Sequence, residues 1–208
     1  MSTITPNSSP TLLQINTSLF ADKGNSSVLA ENIVAAWRKK HPTGQVVVRD
    51  LGSSPVAHLD AARVIALNTP AADRSAEQAA IVAESDALIA ELKAADTVVL
   101  GLPMYNFGVP SQLKAYLDHL ARAGVTFRYT ANGPEGLIGD RHLIVAAARG
   151  GIHLGLPSDS QTAFVKTFFN FIGIHNIEFV YVEGLAYSAE HKTKAFELAQ
   201  AEIEKLAA

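Results

Sequence analysis

Cysteine is absent from the 208-residue chain, which removes disulfides, thiolate nucleophiles and Cys-based zinc or iron–sulfur sites together. Any redox chemistry must therefore come from a bound cofactor. The opening stretch, Met1 to Pro10, is polar and lacks both the basic and the apolar region of a signal peptide. No apolar run approaches the roughly 20 residues that a membrane span needs. A cytoplasmic protein with no membrane partner is the expectation. Excess charge of one sign is missing too: 17 Lys and Arg stand against 20 Asp and Glu, a formal net charge of -3. The basic residues are scattered, so nucleic acid is not an expected partner. Several catalytic signatures are lacking as well. There is no Gly-Lys-Ser/Thr ending of a Walker A loop, no Gly-x-Gly-x-x-Gly clamp and no Gly-x-Ser-x-Gly nucleophile elbow. No His-Glu-x-x-His or comparable ligand spacing occurs, so no metal site is expected.

What is present is an ordinary globular composition, 48% hydrophobic and 18% charged, on a chain long enough for one α/β domain spanning residues 1–208. Residues 1–10 read as a loose extension. Apolar runs at Thr11 to Thr17, Gln45 to Leu51, Thr97 to Leu102, His142 to Ala148 and Ile177 to Val182 predict five apolar strands, the first of them buried. Helices are predicted between them. From Ser26 to about Lys40, Ala30, Ile33, Val34 and Trp37 share one face, with Ser26 or Ser27 as the cap and His41-Pro42 as the stop. Ile81, Ser85, Leu88 and Leu92 mark a helical stripe in the Ala-rich stretch from Asp60 to Ala94. Further helices are predicted at about Ser111 to Arg122 and at Thr162 to Ile172, with a last one carrying Phe196, Ala199, Ile203 and Leu206 on one face. Phe127 to Gly139, with Asn132-Gly133-Pro134, reads as a hairpin-like excursion. Strands alternating with helices in this way predict a parallel sheet covered on both sides.

Such sheets bind ligands beyond the carboxyl ends of their strands, where strand order reverses. The segments after the first, third and fourth strands are therefore the informative ones. Ser18 to Ser27 combines hydroxyls, an amide and Gly24 at a helix start, where free backbone N–H groups and the dipole favour an anion; it is also compatible with a plain capped helix. Pro103-Met104-Tyr105-Asn106-Phe107-Gly108-Val109-Pro110 is apolar and aromatic where solvated residues are usual. Held by two prolines and a glycine, it suits contact with a flat ring. Arg149-Gly150-Gly151-Ile152-His153 allows close backbone approach or a tight turn. His153 is the histidine best placed to donate a proton near a ring, whereas His41, His119, His142, His175 and His191 read as surface or element-end residues.

These loops, taken with Phe127 to Leu137 and Phe171-Ile172-Gly173-Ile174, resemble the FMN-dependent NADH-azoreductases, also described as NADH:quinone oxidoreductases. The resemblance covers nearly all of the chain after residue 10. It implies an α/β fold, a flavodoxin-like three-layer sandwich with a five-stranded parallel sheet in the order 2-1-3-4-5. It implies bound FMN, with NADH or NADPH as hydride donor and quinones or azo compounds as acceptors. By the same resemblance Ser18, Gly24, Asn25 and Ser26 hold the FMN phosphate, and Met104, Tyr105, Asn106 and Phe107 contact the isoalloxazine. Ala148, Arg149, Gly150 and Gly151 meet its pyrimidine side; Tyr129, His153 and Phe171 line a substrate cleft that a second subunit of a homodimer completes. His153 is the candidate catalytic residue. One cleft serving donor and acceptor in turn implies ping-pong kinetics. Gly24 and Ala148 stand where serine is familiar, and each lost hydroxyl weakens binding by roughly 0.5–1.5 kcal/mol. Two other readings compete: a flavodoxin-like electron carrier, disfavoured by the near balance of charge, and a flavin-free α/β protein that binds another phosphorylated ligand.

Overall fold

The computed structural model describes residues 9–206, so most of the extension expected over residues 1–10 lies outside the described residues. In chain order the strands are β1 (Thr11–Asn16), β2 (Gln45–Asp50), β3 (Thr97–Pro103), β4 (Phe127–Thr130), β5 (Gly133–Gly136), β6 (His142–Ala148) and β7 (Ile177–Val182). The helices are α1 (Asn25–Lys40), α2 (Ala61–Asn68), α3 (Ala76–Ala94), α4 (Ser111–Leu120), α5 (Ser160–Phe171) and α6 (Ala189–Leu206). Five strands pair in parallel as β2-β1-β3-β6-β7. Counted among themselves these are strands 2-1-3-4-5, the expected order. Among the described residues no helix is long and apolar enough to cross a membrane.

Every residue of the central strand β3 is buried, as a strand covered on both faces requires. Side chains alternate between two cores. Leu13, Ile15, Val98, Leu100, Leu102, Leu143 and Val145 pack under α3, α4 and α5. Leu12, Val99, Ile144, Ala146, Val180 and Val182 pack under α1 and α6. Helix α1 turns Leu29, Ala30, Ile33, Val34 and Trp37 to that second core, and Arg38, Lys39 and Lys40 complement its C-terminal dipole.

The helical stripe expected in the Ala-rich stretch lies on α3, where Ser85, Leu88 and Leu92 are buried. Ahead of it α2 is capped by Asp60, whose side chain accepts the Arg63 amide at 2.8 Å, and ends before Pro70. Proline has no amide to donate and keeps the preceding residue extended, so the chain makes a short 3-10 turn before α3 begins at a Ser75/Gln78 capping box. His119, read as a surface or element-end residue, stands in the last turn of α4 and is buried there. It continues the buried stripe of α4 one turn beyond Tyr116, and its Nε2 lies 3.0 Å from the Ala57 carbonyl. The cap of α1 differs from the expectation, because neither Ser26 nor Ser27 caps it; Gly24 occupies that position without any side-chain bond.

The excursion between α4 and β6 is an antiparallel hairpin of β4 and β5, as expected. Its exposed Arg128–Glu135 pair contributes little. What docks it is the backbone contact of Gly136 with Gly173, where a Cβ on Gly136 would stand 2.1 Å from the Gly173 nitrogen, together with Phe127 packed 4.3 Å from the Phe171 ring.

Candidate active site

Strand order reverses between β1 and β3, and the loops leaving those two strands, β6 and β7 enclose a cleft there. Nine of the residues singled out in the sequence line it: Ser18, Gly24, Asn25, Ser26, Met104, Tyr105, Ala148, Arg149 and Gly150. Its volume is about 220 Å³. Asn106 lines a neighbouring hollow outside it, with Leu19 and Phe20. Gly151 and Phe107 lie just beyond, in contact with His153.

One end of the cleft is built for an anion. The amides of Asn25, Ser26 and Ser27 have no partner among the described residues, and the buried Ser26 and Ser27 hydroxyls have none either. An uncapped N-terminus of a sixteen-residue helix leaves its orphan donors and its positive dipole end aimed at one place. Buried polar groups without partners are costly, so this cluster fits a phosphate better than it fits empty space. Gly24 makes room for it: a Cβ there would stand 2.0 Å from Ser18 Oγ and 2.7 Å from Ser18 Cβ. The side chain missing at position 24 is thus matched by the serine at position 18.

The second wall is the loop after β3. Tyr105 and Gly108 exchange backbone bonds of 3.2 and 3.0 Å, and between them Asn106 and Phe107 take φ of 49° and 64°. Two consecutive left-handed residues make the tight turn normally given to Asn-Gly, and a phenylalanine there is strained by about 1–3 kcal/mol. Tyr105 ties this turn to the β1 loop, its hydroxyl accepting the Leu19 amide at 3.2 Å and lying 3.5 Å from Ser18 Oγ.

The third wall follows β6. Arg149 lines the cleft, as expected of this loop, but its side chain has no exposure and runs inward. It donates to Asp159 Oδ1 at 2.8 Å, Glu183 Oε1 at 3.0 Å, Thr162 Oγ1 at 3.2 Å and Gln161 Oε1 at 3.3 Å, and it sits over the Tyr181 ring. Only its backbone is left to border the cleft. The next amides, of Gly150 and Gly151, have no partner among the described residues and suit the heteroatom edge of a ring. Burial pushes Asp159 upward, but bonds from the Thr162 hydroxyl and amide and from Arg149 outweigh it and hold its carboxyl below the ordinary value. Burial also raises the Tyr181 hydroxyl. Glu183 accepts the amides of His153 at 2.9 Å and Leu154 at 3.1 Å, folding this loop back. His153 Nδ1 lies 2.9 Å from Ser158 Oγ and its ring meets the Phe107 ring edge-on at 5.7 Å.

Tyr129, His153 and Phe171, expected in a substrate cleft that a second subunit completes, lie outside this lining; Tyr129 and Phe171 form a row through Phe127, Tyr129 exposed on β4 and Phe171 half-buried against the core. Sequence reasoning missed Phe20, Leu185 and Ala186 in the cleft wall. The last two follow β7, and the same strand-end rule that singled out three loops pointed to them as well.

The model of the flavodoxin-like fold family matches residues 10–207. A curated relative from Cellvibrio japonicus, described as an FMN-dependent NADH:quinone oxidoreductase, is 55% identical over 94% of this chain and 97% of its own. The chain belongs to this flavodoxin-like family of FMN-dependent NADH:quinone oxidoreductases. A relative of the same description from Alcanivorax borkumensis is 53% identical over 92% of this chain and 97% of its own. Among solved structures, an azoreductase from Bacillus anthracis superposes with a TM-score of 0.87 at 29% identity, over 95% of this chain and 98% of that one. An FMN-dependent NADH-azoreductase of the same species, in complex with FMN, gives 0.85 at 25% identity over 96% and 100%. Family membership makes this chain an enzyme, an oxidoreductase.

Proposed function

We propose that this protein binds FMN in the cleft between the β1, β3 and β6 loops and transfers reducing equivalents from NADH or NADPH to quinones and aromatic azo compounds. The observation that carries the reading is the group of unpaired donors at the start of α1, opening onto a cleft walled by Met104 and Tyr105. Ser18, Asn25, Ser26 and Ser27 would hold the phosphate. Met104, Tyr105, Asn106 and Phe107 would meet the ring system, and the backbone of Ala148 to Gly151 its polar edge. When bound, FMN supplies a two-electron carrier that takes a hydride equivalent from a nicotinamide and gives it to an electron-poor ring. The chain binds, orients and excludes water. Phe107 and Tyr129 offer exposed apolar surface on which a flat acceptor stacks, and His153 donates a hydrogen bond or proton to it. Donor and acceptor use the same place in turn. A second copy of the chain closes the cleft, and the enzyme works in the cytoplasm.

Steady-state oxidation of NADH by the purified yellow protein, with a quinone as acceptor, should give parallel double-reciprocal lines. In His153→Ala, acceptor reduction slows while flavin content stays the same. Intersecting lines would remove the shared site. A colourless protein that FMN does not reconstitute, or one that takes electrons only from another protein, would sink the enzyme reading as a whole.

A further inference from the structure

Gln161 is fully buried in the first turn of α5 and touches both ring-facing loops. Its Nε2 donates to the carbonyls of Pro103 at 2.9 Å and Gly108 at 3.0 Å, and its Oε1 accepts from Arg149 Nε at 3.3 Å. The amide orientation follows from the partners: reversed, it would set an oxygen against two carbonyl oxygens and an NH2 against a guanidinium. Next to it, the Ser160 hydroxyl donates to the carbonyl of Phe107. The strained turn of Asn106 and Phe107 is thus gripped by α5 at two of its carbonyls, Phe107 and Gly108, and at the Pro103 carbonyl that ends β3, and α5 is in turn held to the β6 loop by Arg149.

We propose that Gln161 is a positioning residue: it locks the Tyr105–Gly108 turn in its left-handed conformation and couples that turn to the Arg149 loop, so that both meet the flavin as one rigid unit. The part concerning flavin rests on the proposed function; the grip on the turn does not. An ordinary two-residue turn with a phenylalanine at positive φ relaxes when its outside bonds are cut, because the strain is then uncompensated. Neither of the two left-handed positions, Asn106 and Phe107, carries the glycine that would make this shape free of strain; Gly108 comes one residue too late.

Two isosteric substitutions separate the two halves of the role. Gln161→Met removes every polar contact at nearly constant volume. Gln161→Glu keeps an acceptor for Arg149 but replaces the donor with an oxygen facing two carbonyls. Amide hydrogen exchange, followed with and without added FMN, should quicken at least about tenfold at Tyr105 and Gly108 in both variants and stay unchanged in the β6 amides. FMN should dissociate about tenfold more readily, as losing one or two neutral hydrogen bonds implies, and its visible absorption band should shift. Wild-type exchange and wild-type FMN affinity in Gln161→Glu would overturn the proposal, leaving Gln161 as a partner of Arg149 alone. Faster exchange spread evenly over the chain would overturn it too, as a mere loss of stability. A wild-type protein that takes up no FMN would refute the proposed function, and exchange in the ligand-free protein would still decide whether Gln161 holds the turn.

Discussion

Arg149 has no exposed side-chain surface and faces two carboxylates, those of Asp159 and Glu183, that are themselves nearly buried. Removing one partner from such a group leaves uncompensated charge in a medium that solvates it poorly. Arg149→Met should therefore cost about 3–5 kcal/mol, measured by urea unfolding, far more than a surface arginine would. Loss of under 1 kcal/mol would mean that water reaches the carboxylates. Acid supplies a second readout. Asp159 ionises more easily folded than unfolded, so its contribution is complete above the unfolded carboxylate value and disappears as pH falls through the lowered folded one. Wild-type stability should fall below about pH 4, and the variant, having already lost the Arg149 bond, should fall less steeply. None of this was legible in the sequence. Asp159 and Glu183 lie 10 and 34 residues away, and no spacing rule connects a strand end to them. Ser26 and Ser27 were legible as helix-start hydroxyls, but a capping hydroxyl and an orphan awaiting an anion have the same sequence signature. Gly24 read as a lost hydroxyl; only its distance to Ser18 shows that the two positions share one space.

At the level of elements, the strands of the sheet were plain because each is a short apolar run bounded by polar or glycine-containing segments, which leaves few alternatives. The stretch from 60 to 94 was harder, since alanine favours helix everywhere and the break that starts at Thr69-Pro70 itself contains two alanines in a 3-10 turn. The hairpin was legible from its turn residues, whereas its anchor was not. Gly136 and Gly173 are 37 positions apart and meet only in the folded chain, so neither announces the other. That contact leads to a test confined to one element. In Gly136→Ala the new methyl would strike the Gly173 nitrogen at 2.1 Å and the Ile172 carbonyl carbon at 2.3 Å, both backbone atoms that cannot rotate aside. The hairpin should lift off α5 and take Tyr129 with it. Amide exchange in β4 and β5 should rise by at least about tenfold, about 1.4 kcal/mol of lost protection, while the sheet stays protected. If Tyr129 borders the acceptor, its KM rises several-fold with flavin content unchanged. An unaltered KM alongside a loosened hairpin would place Tyr129 outside the acceptor site.

For the whole molecule, alternation of strand and helix spelled out a parallel sheet, but several strand orders satisfy that pattern and its handedness rule. The order 2-1-3-4-5 came from resemblance. So did the second subunit, and here the surface adds an argument of its own. Phe20 is 69% exposed, Phe107 63%, Leu156 52%, Leu154 49% and Ile152 46%, all on the loops that follow β1, β3 and β6 at the carboxyl edge of the sheet. Large apolar side chains gathered on one edge of a folded domain mark a surface that something covers. If a second copy covers it, sedimentation equilibrium should give a dimer, and turnover per protomer should fall on dilution. Charge introduced at the rim, as in Ile152→Glu combined with Leu156→Glu, should yield a folded monomer whose acceptor turnover drops at least about tenfold, because an unpaired carboxylate buried between subunits costs more than about 1.4 kcal/mol. A fully active monomer would count against the shared cleft, since Phe107 and Tyr129 would then hold the acceptor without a partner to keep water from the opposite face.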